Sequence, residues 1–198
     1  PRPVRPRRYT QPHQQGADAG CPRRFAAAMN GCVISPKRAP PEMQADLSGL
    51  RIGLLTASAS RLGGGVFEAV AAQAALIRNC GGHVSVFALD DAFAAEDCHR
   101  FAPAPVHHGR VLGPPQIGYA PDLLAKMLAA DLDCLHLHGI WMYPSRAGYL
   151  WQRRTGRPYL ISPHGMLDPW ITARGRWKKA LARAGYERSS WRSASRLH

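Results

Sequence analysis

The sequence has no long apolar run. Of its 198 residues, 45% are hydrophobic, which is enough for a sizeable core. No stretch reaches the roughly 18 apolar residues that a membrane-spanning helix needs. The basic N-terminal residues are not followed by an apolar segment, so no secretory signal is predicted. The chain begins with Pro1 rather than methionine, which suggests a fragment or a processed product.

Cysteines and several catalytic signatures are also sparse. The five cysteines are scattered, odd in number and form no Cys-x-x-Cys pair, so neither a disulfide framework nor a zinc ribbon is expected. Reduced thiols in a cytosolic protein are the simpler interpretation. A serine hydrolase is disfavoured because no Gly-x-Ser-x-Gly elbow occurs. The Rossmann Gly-x-Gly-x-x-Gly and the Walker loop are missing too.

Acidic residues are few, and the net charge of +13 is uneven along the chain. Residues 1–48 carry +5, residues 49–170 carry +1 and residues 171–198 carry +7. A nearly neutral body therefore has two basic ends. Such ends suggest an anionic partner, and the alternatives are a membrane surface, nucleic acid and a phosphorylated substrate.

The composition divides the chain into two parts. Residues 1–48 contain eight prolines among Arg, Gln and Gly, and are predicted to be a disordered, basic, Pro-rich tail. A spacer or a wrongly assigned start is favoured over an arginine-rich nucleic-acid arm. In residues 49–198 strands alternate with helices, which predicts an α/β domain: a Rossmann-like parallel sheet with helices on both faces.

The predicted elements follow from hydrophobic periodicity. The helix after the first strand has an apolar stripe of Val66, Val70, Ala74 and Ile77, and Gly81 ends it. Ser145 is predicted to cap a later helix. Strands are predicted at 51–58, 83–88, 105–111, 134–138 and 159–162, with a sixth beginning at 196–198, and helices at 121–130, 145–155 and 171–193.

A glycine loop follows the first strand. Gly63, Gly64 and Gly65 precede a helix, where backbone N–H groups and the helix dipole favour a diphosphate. A tight turn with no ligand is about equally expected, because glycine-rich turns are common.

Histidines stand at the ends of two later strands. His136 and His138 face the same way on one strand, but a zinc site is disfavoured because no third ligand is evident. His138 ends its strand. His164 follows Pro163 at the next strand end, beside Gly165, where ligands of open parallel sheets bind. Asp168 is expected to hydrogen-bond His164 or to cap the following helix.

The predicted final helix is strongly basic. Within residues 171–193 only Glu187 opposes its seven Lys and Arg side chains, which surround a tryptophan-containing stripe. A solvated helix face is one interpretation, and contact with an anionic membrane surface is the other.

Four strings resemble the N-terminal half of a family 4 glycosyltransferase. They are DCLHLHGIW at 133–141, GRPYLISPHGMLDPW at 156–170, and RWKK at 176–179 with YE at 186–187. The resemblance covers about residues 50–198, and its most specific part is SPHGMLDPW.

The resemblance implies one half of a two-domain GT-B fold, in which this half mainly holds the acceptor. The missing half would hold the nucleotide sugar and a pair of glutamates. The family transfers a sugar with retention and without a metal or other cofactor, and the leaving phosphate helps to deprotonate the acceptor. Carried over by position, His164 lies near the transferred sugar as the catalytic residue. Gly63, Gly64, Gly65, His138, Trp141, Gly165 and Asp168 are the implied substrate-binding residues.

The resemblance therefore implies a hexosyltransferase-type enzyme half that is inactive by itself. Its expected partners are a nucleotide sugar, a glycan or lipid-linked acceptor and an anionic membrane surface, and no nucleic acid. It would serve polysaccharide or lipopolysaccharide assembly as a cytoplasmic protein peripheral to the inner membrane face. The rival is a non-catalytic Rossmann-like module that binds nucleic acid or membrane through its basic ends.

Overall fold

The computed structural model describes residues 46–168, 185 and 187–197, and it contains one six-stranded sheet. The strands are Arg51–Ser58 (β1), His83–Leu89 (β2), Val106–Gly109 (β3), Cys134–His138 (β4), Tyr159–Ser162 (β5) and Arg196–Leu197 (β6). All pairings are parallel, in the order β3-β2-β1-β4-β5-β6. This is the Rossmann-like strand order, so the predicted fold class is confirmed.

Helices connect the strands. They are Gly65–Asn79 (α1), Ala94–Asp97 (α2), Pro121–Ala129 (α3), Tyr143–Thr155 (α4) and Arg188–Ser193 (α5). None of the helices within the described ranges is long and apolar enough to cross a membrane.

The core lies on both faces of the sheet. Ile52 and Leu54 of β1 pack in one cluster with Val70 of α1. Leu55, the next residue along β1, packs in the other cluster with Trp151 of α4. All five side chains are buried, which explains why β1 is a nearly continuous apolar run rather than an alternating one.

The buried stripe of α1 differs slightly from the predicted one. Val66 is only partly buried. The buried positions of the helix are Phe67, Val70, Gln73, Ala74 and Ile77. The stripe is therefore wider than the apolar pattern, because it also buries Gln73.

The predicted cap of α4 is wrong. Met142 occupies the capping position, and Ser145 lies inside the first turn and is buried. The helix starts earlier than predicted because Pro144 fits its first turn, where a missing N–H costs nothing.

Part of the predicted sequence features lies outside the described residues. This applies to residues 1–45 of the tail and to most of the basic helix, of which Arg188–Ser193 is described and helical. Packing begins inside the segment predicted as tail, because Leu47 is buried in the α1-side cluster. Its backbone N–H also donates to the Cys80 carbonyl at 2.8 Å.

Candidate active site at the carboxyl edge of the sheet

The structure brings His138 and His164 into contact. His138 ends β4, and its neighbour in the sheet is Ser162, the last residue of β5. His164 follows two residues later. Nδ1 of His138 lies 2.8 Å from Nε2 of His164, and the two rings are stacked. Two histidines predicted separately from two strand ends thus form one hydrogen-bonded pair.

The environment keeps His138 uncharged. Burial lowers the pKa of His138 well below its usual range, and the neighbouring His136 and His164 lower it further. The hydrogen bond requires a proton on one of the two facing nitrogens. His138 is buried, whereas His164 is exposed.

An unusual backbone directs His164 towards its partner. His164 and Gly165 both have positive φ angles, 51° and 75°. Glycine adopts this conformation freely, and histidine is one of the residues that tolerate it. The turn is closed by the Met166 N–H, which donates to the Pro163 carbonyl at 3.0 Å. The Asp168 N–H donates to the Gly165 carbonyl at 2.9 Å, and the helix that Asp168 was expected to cap lies outside the described residues.

His136 belongs to a buried polar chain beneath this pair. Its Nδ1 lies 3.0 Å from Nε2 of Gln73, and its Nε2 lies 2.8 Å from Oγ of Ser162. Its ring centroid is 4.2 Å from that of His138. Both ring nitrogens are hydrogen-bonded, as expected of a structural strand histidine. No group of three potential metal ligands is arranged to hold an ion in the described part of the chain.

The three glycines of the loop have different surroundings. A Cβ on Gly63 would lie 3.0 Å from both the Ser58 carbonyl oxygen and the Phe67 Cβ, so this position is tightly packed. Gly64 has a φ of 53°, which favours glycine, and Gly65 opens helix α1 with free space around it. Packing explains Gly63 and backbone geometry explains Gly64, whereas neither requires Gly65.

Two aspartates that the sequence analysis missed hold this loop. Asp91 accepts hydrogen bonds from the hydroxyls of Ser58 and Ser60 at 2.7 and 2.9 Å. Asp97 accepts from the backbone N–H of Arg61 at 2.8 Å and pairs with its guanidinium. The side-chain and backbone hydrogen bonds from Arg61 lower the pKa of Asp97 to about 2. The available signal was a pair of serines at and just beyond the end of β1, together with acidic residues after β2.

A cleft of about 350 Å³ opens at this edge of the sheet. Of the predicted site residues, Gly63 and His138 line it. Gly64 lines a separate depression of about 370 Å³, whose Arg61 is paired with Asp97 and whose Arg100 is paired with Glu68. Gly65, Trp141, His164, Gly165 and Asp168 are not among the lining residues of the cleft, and His164 is linked to it through its hydrogen bond to His138. The cleft lies at the switch point between β1 and β4, where doubly wound sheets bind ligands.

Trp141 lies in the loop that follows His138 and is held by two later segments. Its indole Nε1 donates to the Met166 carbonyl at 3.2 Å, and its backbone N–H donates to Oε1 of Glu187 at 2.6 Å. Glu187 is fully buried, and burial raises its pKa, against the opposing effects of the Trp141 N–H and of the Ser145 and Trp191 side chains. In the sequence, Glu187 is distinguished only as the single acid of the predicted basic helix.

The comparisons with known proteins agree with the motifs. Residues 64–198 match the family described as glycosyl transferase 4-like domain. No curated protein matches the chain significantly.

Among solved structures, HepE of Anabaena has been determined in complex with UDP and glucose and in complex with UDP. Each complex matches this chain at 20% identity with a TM-score of 0.52, covering 75% of this chain and 37% of HepE. MurG of Acinetobacter baumannii matches at 24% identity with a TM-score of 0.42, covering 57% of this chain and 33% of MurG. The likeness to HepE shows the fold, and this chain spans little more than a third of HepE.

Proposed function

This chain belongs to the glycosyl transferase 4-like family, and on that basis we propose that it is the acceptor-side half of a retaining, GT-B-type hexosyltransferase. The observation that carries the proposal is that the glycine loop and the buried member of the histidine pair line one cleft. Gly63 and His138 line that cleft, and His138 is hydrogen-bonded to His164.

In this proposal His164 is the catalytic residue at the transferred sugar. It is exposed, and its Nε2 is fixed by a neutral, buried neighbour. A pre-oriented imidazole of this kind can stabilise charge or a developing hydrogen bond in the transition state without reorganisation. The glycine loop at the start of α1 offers backbone N–H groups to the donor diphosphate.

The donor is proposed to be a nucleotide sugar, which is consistent with the UDP and glucose named for HepE. It would bind mainly to a second half that is not part of this chain, and the isolated chain is proposed to be inactive. No metal or other cofactor is invoked: the leaving phosphate would take the acceptor proton. The acceptor is a glycan or a lipid-linked glycan of polysaccharide or lipopolysaccharide assembly. The basic ends would hold the protein at the inner membrane face.

The test is a transfer assay on the complete gene product, using a panel of nucleotide sugars and glycan acceptors with and without EDTA. Transfer with retained anomeric configuration, insensitive to EDTA and absent from the 198-residue chain alone, is the expected result. Inversion of the anomeric centre or loss of transfer with EDTA would contradict the mechanism. Salt-sensitive nucleic-acid binding without any transfer would favour the rival binding module.

A further inference from the structure

The described residues that line the cleft carry a charge opposite to that of the chain. The chain carries +13, yet the described residues that line the cleft include Asp90 and Asp91 and neither Lys nor Arg. Most of the other lining side chains are apolar, among them Leu62, Val111, Ile140 and Met142. A cleft built for an anionic group would be expected to place a basic side chain in its wall.

The two aspartates of the cleft differ in how many hydrogen bonds their carboxylates already accept. Asp91 already accepts from the Ser58 and Ser60 hydroxyls and, through Oδ1, from the Phe93 N–H at 2.9 Å. Asp90 is exposed, and its side chain makes no hydrogen bond or ion pair in the described part of the chain. Its backbone is nevertheless fixed, because its N–H donates to the Gly109 carbonyl at 2.9 Å. Asp90 therefore presents an unused carboxylate from a fixed position.

The place of Asp90 in the fold indicates what such a carboxylate can bind. It follows β2 directly, in the first β-α-β unit, downstream of the glycine loop. In dinucleotide-binding folds an acid at this place accepts hydrogen bonds from sugar hydroxyls. An ionised carboxylate only accepts hydrogen bonds, and its two oxygens can receive two neighbouring hydroxyls.

A second polar group of the lining also lacks a partner. Nε2 of His138 is buried and has no hydrogen bond within the described ranges. Hydroxyl groups can donate to a carboxylate and either donate to or accept from an imidazole nitrogen, whereas a phosphate would face Asp90 as a like charge.

We propose that the cleft takes an uncharged, hydroxyl-bearing sugar unit of the acceptor, with Asp90 receiving its hydroxyls and the apolar wall covering its carbon skeleton. This inference rests on the proposed function for the role of the sugar as acceptor, but its chemistry is set by the cleft. Any phosphate or lipid part of the acceptor then lies outside the cleft, and the donor diphosphate would meet the glycine loop at Gly64 and Gly65, which do not line the cleft.

The test is ligand-observed NMR on the 198-residue chain with methyl glucoside, methyl galactoside and methyl mannoside and with the corresponding hexose 6-phosphates. At least one neutral glycoside should bind, and its 6-phosphate should bind at least tenfold more weakly. Asp90→Asn should lower the affinity for the neutral glycoside at least tenfold. It should also reduce the ratio of that affinity to the affinity for the 6-phosphate. The matched control is Asp131→Asn, which removes the same charge from an aspartate paired with Arg51 and Arg157. This variant should change neither the affinity for the neutral glycoside nor its ratio to the affinity for the 6-phosphate.

Three results would overturn the inference. They are equal or tighter binding of the phosphates, no binding of any neutral glycoside, and an Asp90→Asn protein that behaves like the unmodified one. Circular dichroism of Asp90→Asn establishes that the variant is folded. The complete protein could fail to transfer sugar while this chain still binds neutral glycosides in preference to 6-phosphates. That result would count against the proposed reaction and not against the binding preference.

Discussion

The Trp141 N–H and Oε1 of Glu187 are 2.6 Å apart although the two residues are separated by 46 positions in sequence. Trp141 has a φ of 79°, a conformation that costs a bulky residue about 1–3 kcal/mol unless its surroundings hold it. The Glu187 carboxylate lies beside the first turn of α4, near Ser145, where the helix dipole favours negative charge. Glu187 therefore fixes the loop between His138 and α4.

Replacing Glu187 tests this tie. Glu187→Ala removes the carboxylate that accepts from the half-buried Trp141 N–H, so hydrogen-exchange protection of that amide should fall at least tenfold, corresponding to about 1.4 kcal/mol or more. Glu187→Gln keeps an oxygen acceptor and should retain most of the protection. The exposed Glu96→Ala serves as the control. Full protection at Trp141 in Glu187→Ala would show that Met166 and Trp191 hold the loop without Glu187.

Removing the exposed member of the histidine pair tests catalysis. In the complete protein, His164→Ala should lower turnover by about tenfold or more, since losing one transition-state hydrogen bond typically costs at least this much. Unfolding curves should change little because His164 is exposed. His83→Ala, which removes an exposed histidine at the start of β2, should leave turnover unchanged. Unchanged turnover in His164→Ala would remove this residue from the site.

Because His138, the buried member of the histidine pair, has a lowered pKa, the stability of the folded chain should depend on pH. The pKa of His138 is lowered in the folded state, so as the pH falls below about 6.5 the unfolded chain takes up a proton that the folded chain does not. Stability is therefore fully present above that pH and lost as the pH falls, by at most about 1.4 kcal/mol per pH unit for one proton. Urea unfolding of His138→Asn between pH 7 and 5 should show a shallower dependence. An unchanged slope would contradict the assignment.

Asp97 predicts a second dependence at lower pH. Its pKa of about 2 in the folded state lies below the usual value of 3.8, so its stabilising effect is present above about pH 4 and is lost as the pH falls towards 2. The melting temperature of Asp97→Asn should lie below that of the unmodified protein at pH 7, and the gap should close between pH 4 and 2. A difference in melting temperature that does not depend on pH would mean that the charge of Asp97 beside Arg61 does not contribute to stability.

The basic C-terminal segment predicts membrane binding. Residues 171–198 carry +7, and most of them lie outside the described residues. The chain should bind anionic vesicles in flotation assays, and salt should weaken the binding. Replacing Lys178 and Lys179 with Gln should weaken it about tenfold or more, since each basic residue near such a surface contributes about 1 kcal/mol. Equal binding to neutral vesicles would argue against this role.

The fold could be predicted from the residues alone, because hydrophobic periodicity and a proline at a strand end are local signals. The run Arg51–Ser58 and the shorter Tyr159–Ser162 appear as strands at the predicted places. The motif around His164 also sufficed for the family. The cap at Ser145 was mispredicted because Pro144 sets the helix start, a choice that a search for capping residues alone does not weigh.

Which polar residues act together could be seen only in the folded chain. The contact between His138 and His164 depends on β4 and β5 being neighbours in register and on a left-handed backbone at His164. The Asp91 carboxylate accepts hydrogen bonds from Ser58 and Ser60 at the end of β1, whereas the neighbouring Asp90 carboxylate accepts none from the described residues and lines the cleft. Both are simply acids after a strand in the sequence. Hydrogen bonds between distant segments carry no periodicity, so the chain alone gives no signal for them.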